Sequence, residues 1–180
     1  MDPGHDGILA GIRYAASPNC DDRPAGVAVT LLVVHSISLP PGRFGGDAVE
    51  RLFTNRLDQA AHPYFRTLQG TRVSAHFFVR RDGEVVQFVP VGRRAWHAGV
   101  SLWRGRGRCN DFSIGVELEG ADEQSFEPAQ YRRLAELAGA LRAMLPLTDI
   151  AAHSDIAPVR KTDPGPLFDW PVCLALLSAI

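Results

Sequence analysis

The sequence predicts a single α/β domain, a central mixed β-sheet flanked by helices. Three observations predict it. Apolar, β-prone runs at 27–35 and 111–120 alternate with amphipathic helical patterns at 47–59 and 128–145. Between them, Asp82-Gly83 separates two further β-prone runs, a strong hairpin signal. No repeat, low-complexity tract or Gly/Ser linker divides the 180 residues, a length sufficient for one continuous core.

The elements follow in order. Residues 1–26 read as a polar extension ahead of a core at 27–180; acids stand where a secretory signal has basic residues, and Arg13 interrupts the short apolar run. That pattern predicts a cytoplasmic chain. "VAVTLLVVH" (27–35) lacks amphipathic spacing and predicts a strand buried on both faces, closed by His35. After the Pro/Gly loop 38–46, the segment 47–59 places Val49, Leu52, Phe53 and Leu57 on one helical face behind Asp47 as cap. Residues 60–72 have no clear period. "VSAHFFVRRDGEVVQFVP" (73–90) predicts an antiparallel pair. In "DFSIGVELEG" (111–120), Ile114, Val116 and Leu118 point one way and Ser113, Gly115, Glu117 and Glu119 the other, the pattern of a half-buried strand. Pro128 opens a helix to about Leu145 with a core-facing stripe of Leu134, Leu137, Ala138, Leu141, Met144 and Leu145. A short helix near 171–179 ends the chain.

Composition excludes several classes. With 19 basic and 20 acidic residues the formal charge is −1, so there is neither a basic field for nucleic acid nor a polybasic patch for membranes. The longest charge-free apolar run, "GVAVTLLVV", is too short to span a bilayer. Cys20, Cys109 and Cys173 are odd in number and widely spaced, which predicts unpaired thiols rather than a disulfide framework or a cysteine metal cage.

The segment "AAHSDIAPVRKTDPGP" (151–166) sets His153, Asp155, Lys161 and Asp163 among three prolines and a glycine. Loops held by a rigid scaffold are common homes for ligands. A catalytic zinc takes three protein ligands and keeps a fourth position open, and this chain offers His35, His153 and Asp163. The first two lie 118 residues apart (153 − 35). Spacing alone therefore carries no specificity.

The strings "LLVVHSISLPPGRFGG", "AHPYF", "VSAHFFVRRDGEVVQFVP", "RAWHAGVS", "RCNDFSIGVELEG" and "HSDIAPVRKTDPGPLFDW" do. They resemble the AmpD family of cytoplasmic zinc N-acetylmuramoyl-L-alanine amidases, within a wider set that includes peptidoglycan recognition proteins and phage amidase lysozymes. The resemblance implies that fold and one Zn²⁺ per chain held by His35, His153 and Asp163. It implies Glu117 as general base and Lys161 as holder of the oxyanion. The activity implied is hydrolysis of the lactyl–L-alanine amide of 1,6-anhydro-N-acetylmuramoyl peptides in cell-wall recycling. The implied partner is a small muropeptide, with no nucleic acid or membrane and a monomer favoured.

The residues bear on these roles. Glu117 leaves its strand beside Gly115, which is read as leaving room for a substrate, yet Glu119 satisfies the same alternation. Lys161 is the chain's one lysine beside eighteen arginines. Trp96, His97, Tyr64, Arg72 and Arg108 are candidate substrate contacts. So is Ser36, where the family commonly has asparagine. His76 reads as a satisfied core histidine and His62 as structural; His5 lies in a segment too irregular to interpret. The competing readings are a recognition module without catalysis, a zinc peptidase acting within peptide stems, and an inactive regulator.

Overall fold

The computed structural model describes residues 7–179. In chain order the elements are β1 (Arg13–Tyr14), β2 (Cys20–Asp22), β3 (Leu31–Ile37), α1 (Ala48–Phe53), α2 (Pro63–Arg66), β4 (Phe77–Val79), β5 (Val85–Gln87), β6 (Arg93–Ala95), β7 (Leu102–Trp103), β8 (Arg106–Gly107), a 3-10 turn at Cys109–Phe112, β9 (Ser113–Glu119), α3 (Pro128–Arg142), β10 (Asp149–Ala152), α4 (His153–Ile156) and α5 (Trp170–Ser178). Six strands form one mixed sheet in the order β1-β5-β4-β9-β3-β10. β4, β9, β3 and β10 run parallel, and β5 returns antiparallel to β4. This is the predicted architecture, and the hairpin turns where Asp82-Gly83 places it, with Gly83 at φ 92°.

Alternation decides what each face buries. Leu32, Val34, Phe77, Val79, Ile114, Val116 and Leu118 meet the α3 stripe of Leu134, Leu137, Ala138 and Leu141, with Cys173 and Leu177 of α5 packed behind. The opposite face carries two smaller clusters, one built on Phe53, Phe65, Phe78 and Phe88 and one on Leu31, Val33, Ala98, Phe112 and Ile156. The expectation of a half-buried strand at 111–120 is therefore corrected. β9 is central and covered on both sides, and its polar side chains line an interior rather than a solvated face.

Three other boundaries differ from the sequence reading. Pairing on β3 begins at Leu31, opposite Ser113 and Asp149, and runs two residues past His35. The predicted helix 47–59 stops at Phe53. Asp47 Oδ2 accepts from Arg51 Nε at 2.7 Å instead of capping the helix, and Asn55 turns the backbone to φ 59°. Leu57 still packs on the cluster, reached by a bend rather than another helical turn. Nor is the N-terminal segment a free extension from residue 9 onward. Leu9 is buried and its N–H donates to Gln87 Oε1 at 2.8 Å, while β1 pairs with β5 at the sheet edge.

All three cysteines are free. Among the described residues no helix is long and apolar enough to cross a membrane.

Glu119 shows what the polar side of β9 does away from the strand's neighbours. Its Oε1 accepts the Gly45 N–H at 2.5 Å and its Oε2 the Arg81 N–H at 3.2 Å, which ties the 38–46 loop and the hairpin to the sheet. Glu119→Ala removes the carboxylate acceptor of both amides. It is expected to cost about 1–3 kcal/mol in urea unfolding; a variant as stable as the wild type would contradict this anchoring.

Candidate active site

Strand register closes the gap that sequence spacing leaves open. His35 on β3 stands opposite Glu117 on β9, and on the other side Val34 stands opposite Ala152, the last residue of β10. His153 follows directly and comes level with His35. Since neighbouring strands lie about 4.8 Å apart, three side chains from distant parts of the chain meet at the carboxyl ends of parallel strands, where open α/β sheets place their sites. Asp163 arrives from the proline-rich loop, held by the Ser154 N–H donating to Asp163 O at 3.0 Å.

The three ligand-type atoms converge closely. His35 Nδ1 and His153 Nδ1 are 2.8 Å apart, and Asp163 Oδ2 lies 3.2 Å from the first and 3.0 Å from the second. Zinc–nitrogen bonds of about 2.0–2.1 Å in a tetrahedron require edges of about 3.3 Å. The triangle's edges, 2.8, 3.2 and 3.0 Å, are each somewhat shorter, so a bound ion would spread the three atoms slightly. The outer nitrogens face partners of their own: His35 Nε2 lies 2.9 Å from His97 Nδ1, and His153 Nε2 lies 3.3 Å from Ala98 O. With those nitrogens donating, three lone pairs point at one spot. Such a cluster needs a positive charge at its centre, a proton on one imidazole or a metal ion.

Charge and burial agree with the geometry. Burial drives His35 down to about 4, against the upward pull of its hydrogen bond to Asp163 and with the neighbouring His153 adding to the fall. For Asp163 burial alone would raise the carboxyl, but hydrogen bonds with His153 and His35 outweigh it and hold the group well below the usual carboxylate range. Two neutral imidazoles and a carboxylate are a donor set that suits zinc.

Beside the triangle opens a cleft of about 940 Å³. Glu117 and Lys161 line it. Glu117 is partly open to the cleft, but its Oε2 is screened from solvent and has no hydrogen-bond partner. Burial pushes its carboxyl well above the ordinary range, the negative Asp163 adds to the rise, and Lys161 offsets part of it.

A family model for N-acetylmuramoyl-L-alanine amidase matches residues 25–166. The chain belongs to that amidase family. It is 54% identical over 174 residues to the 1,6-anhydro-N-acetylmuramyl-L-alanine amidase AmpD of Escherichia coli K12, covering 96% of this chain and 95% of the relative. A crystal structure of a selenomethionine AmpD derivative superposes with a TM-score of 0.93 at 53% identity, covering 96% of this chain and 97% of that one. The amidase AmiD of E. coli, solved in complex with anhydro-N-acetylmuramic acid-L-Ala-D-gamma-Glu-L-Lys, matches with a TM-score of 0.61 at 31% identity, over 88% of this chain and 65% of its own.

In this amidase the predicted site residues separate into groups. Ser36, Tyr64, Trp96, His97, Glu117, His153, Lys161 and Asp163 line the cleft, and His35 lies beneath it, 1% exposed. Arg72 and Arg108 are exposed and stand outside that lining; Arg72 faces a small neighbouring depression beyond Leu52 and Leu68, and Arg108 pairs with Asp111 at 3.1 Å. The room beside Gly115 is not substrate space. A Cβ there would lie 2.5 Å from Cγ of the His97 ring, so the glycine accommodates that imidazole. His97 itself is buried with both ring nitrogens engaged. His76 is fully buried and satisfied by the Gly115 N–H and Arg93 O, as a core histidine, and burial drives it down to about 3. His62 caps α2, its Nδ1 accepting the Tyr64 N–H at 3.1 Å. His5 lies outside the described residues.

Three contributors escaped the sequence reading. The 120–124 loop, which carries Asp122 and Glu123, forms one wall of the cleft, and Arg160 forms part of another, its Nη2 donating to Ala98 O and Val100 O at 2.9 and 2.8 Å. Arg160 adjoins Lys161, a signal that was available. Ala98 acts through its carbonyl, for which side-chain patterns give no signal.

Proposed function

We propose that this amidase is zinc-dependent and hydrolyses the amide between the lactyl group of 1,6-anhydro-N-acetylmuramic acid and L-alanine, in cytoplasmic recycling of cell-wall fragments. The catalytic domain includes the N-terminal segment from Leu9 onward, which packs into its core and sheet, and acts as a monomer on a small muropeptide. The observation that carries this reading is the triangle of His35 Nδ1, His153 Nδ1 and Asp163 Oδ2 at the floor of a cleft that also presents Glu117 and Lys161. The names of the AmpD relatives support the substrate class.

His35, His153 and Asp163 hold the ion, one per chain, and zinc there supplies Lewis acidity for water activation and carbonyl polarisation. Glu117, whose side chain lines the cleft beside the triangle, takes the proton of the attacking water as the water oxygen bonds to the carbonyl carbon. The raised proton affinity of Glu117 suits it to hold that proton and deliver it to the departing alanine nitrogen as the C–N bond breaks. Lys161, whose charge is felt by both Glu117 and His35, stabilises the oxyanion of the tetrahedral intermediate. Trp96 and Tyr64 offer aromatic surface to sugar and stem, and Ser36 a hydroxyl; Arg72 and Arg108 can meet stem carboxylates only where a ligand extends beyond the cleft's own lining.

Incubation of the zinc-loaded chain with an anhydro-muramoyl tripeptide is expected to release an intact stem peptide and free anhydro sugar by mass spectrometry. A shortened stem would favour a peptidase. Stoichiometric binding without cleavage would favour a recognition module, a reading to which the full ligand set and the unpartnered Glu117 give no support.

A further inference from the structure

We infer that the segment His97–Ala98 is a positioning element that fixes both metal-facing imidazoles in the tautomer that leaves Nδ1 bare, with the His97 ring setting His35. The inference rests on the reading of His35 and His153 as metal ligands. It follows from the direction of a hydrogen-bond chain behind the site. His97 Nε2 lies 3.2 Å from Ser113 Oγ, and Ser113 Oγ donates to Cys109 O at 2.6 Å.

A backbone carbonyl only accepts, so the last bond has one direction and uses the hydroxyl's single proton. Ser113 Oγ then offers a lone pair to His97, whose Nε2 must carry the hydrogen. That leaves His97 Nδ1 bare. His35 Nε2, 2.9 Å away, therefore donates to it, and His35 Nδ1 faces Asp163 and His153 with a free lone pair. The other imidazole is set by the next residue in the chain, since His153 Nε2 faces Ala98 O at 3.3 Å and can only donate to it.

The element is held in place independently of any ligand. Asn110 Oδ1 accepts the N–H groups of both His97 and Ala98, at 3.2 and 2.8 Å. The His97 ring occupies the space over Gly115 that a side chain would fill, with ring atoms 2.5–2.8 Å from where a Cβ would stand. It meets His35 edge to face, with centroids 5.0 Å apart. His97 is therefore not one of the three converging ligand groups; through its ring nitrogens it acts on His35.

Two measurements test this. In metal-free, ¹⁵N-labelled wild-type protein, long-range ¹H–¹⁵N correlation is expected to show His35 protonated at Nε2 and His97 bare at Nδ1, with scalar coupling across the hydrogen bond between them. His35 protonated at Nδ1 instead would overturn the inference, and this measurement needs no variant. In chelator competition, His97→Phe is expected to weaken zinc binding about 10–100-fold, the usual effect of losing a partner behind a ligand. His97→Asn, whose Oδ1 stands where Nδ1 stood, is expected to recover most of it. Wild-type affinity in a folded His97→Phe chain would overturn the inference alone, whereas a wild-type chain that takes up no zinc would overturn the metal reading and the inference with it.

Discussion

Glu117→Gln is expected to leave the amidase folded and able to take up zinc while hydrolysis falls by about 10²–10⁴-fold, the usual contribution of a positioned general base. The amide keeps the shape of the side chain and cannot take up the proton. Glu117 stands next to the ligand triangle, across the ladder from His35, but is not among the three converging atoms. Removing its charge therefore leaves the donor set intact. The same substitution has a readable effect on stability. Burial and the neighbouring Asp163 carboxylate hold the Glu117 pKa above the unfolded value of about 4.3, so the folded chain binds this proton more tightly than the unfolded chain does. The stability that this provides is fully present below about pH 4 and is lost as pH rises through the raised value. The glutamine variant has no such loss. In metal-free protein its melting temperature is expected to exceed that of the wild type near pH 8 and to approach it near pH 4, a penalty accepted for activity. Loss of stoichiometric zinc from the variant, or hydrolysis at the wild-type rate, would remove Glu117 from the role of base.

How far the site was legible depended on which interactions are local. The α3 stripe was readable because Leu134, Leu137 and Leu141 report one packing partner through one period, and the hairpin because Asp82-Gly83 fixes its own turn. α1 was overextended because Leu57 fits the helical period, whereas the left-handed backbone at Asn55 is set by contacts that no periodicity expresses. Its side-chain Nδ2 donates to Asn19 Oδ1 at 3.0 Å, a partner 36 residues away in sequence. The candidate ligands were legible only through family strings, since the 118-residue gap closes by strand register, a property of sheet order. Alternation placed Glu117 and Glu119 on the same side of β9 and could not tell the proposed base from the anchor. Only the depth along the strand separates them, Glu117 at the level of His35 and Glu119 at the loop amides of Gly45 and Arg81. Gly115 was read as open space for the same reason. What fills it comes from an irregular segment whose position depends on Asn110.

Asp163→Ala is expected to weaken zinc binding by more than the about 10–100-fold loss anticipated behind the ligands, and to abolish hydrolysis with it. Asp163 supplies the one negative charge among the three converging atoms, from 3.2 and 3.0 Å away. Without it, two neutral imidazoles must hold a divalent cation alone, one ligand short of the usual three. Stability should respond with the opposite pH dependence from Glu117. The Asp163 pKa is depressed, because its hydrogen bonds with His153 and His35 outweigh burial. Its contribution is therefore present above the unfolded carboxylate value of about 3.9 and is lost as pH falls through the folded value. In metal-free protein, Asp163→Ala is expected to melt below the wild type at neutral pH, with the gap narrowing in strong acid. Chelator competition and thermal melts across pH check both halves. Full zinc occupancy and activity in the variant would mean that the proline-rich loop braces the cleft without supplying a ligand. The same result would exclude a triangle completed by residue 163, because no other carboxylate belongs to the converging group among the described residues.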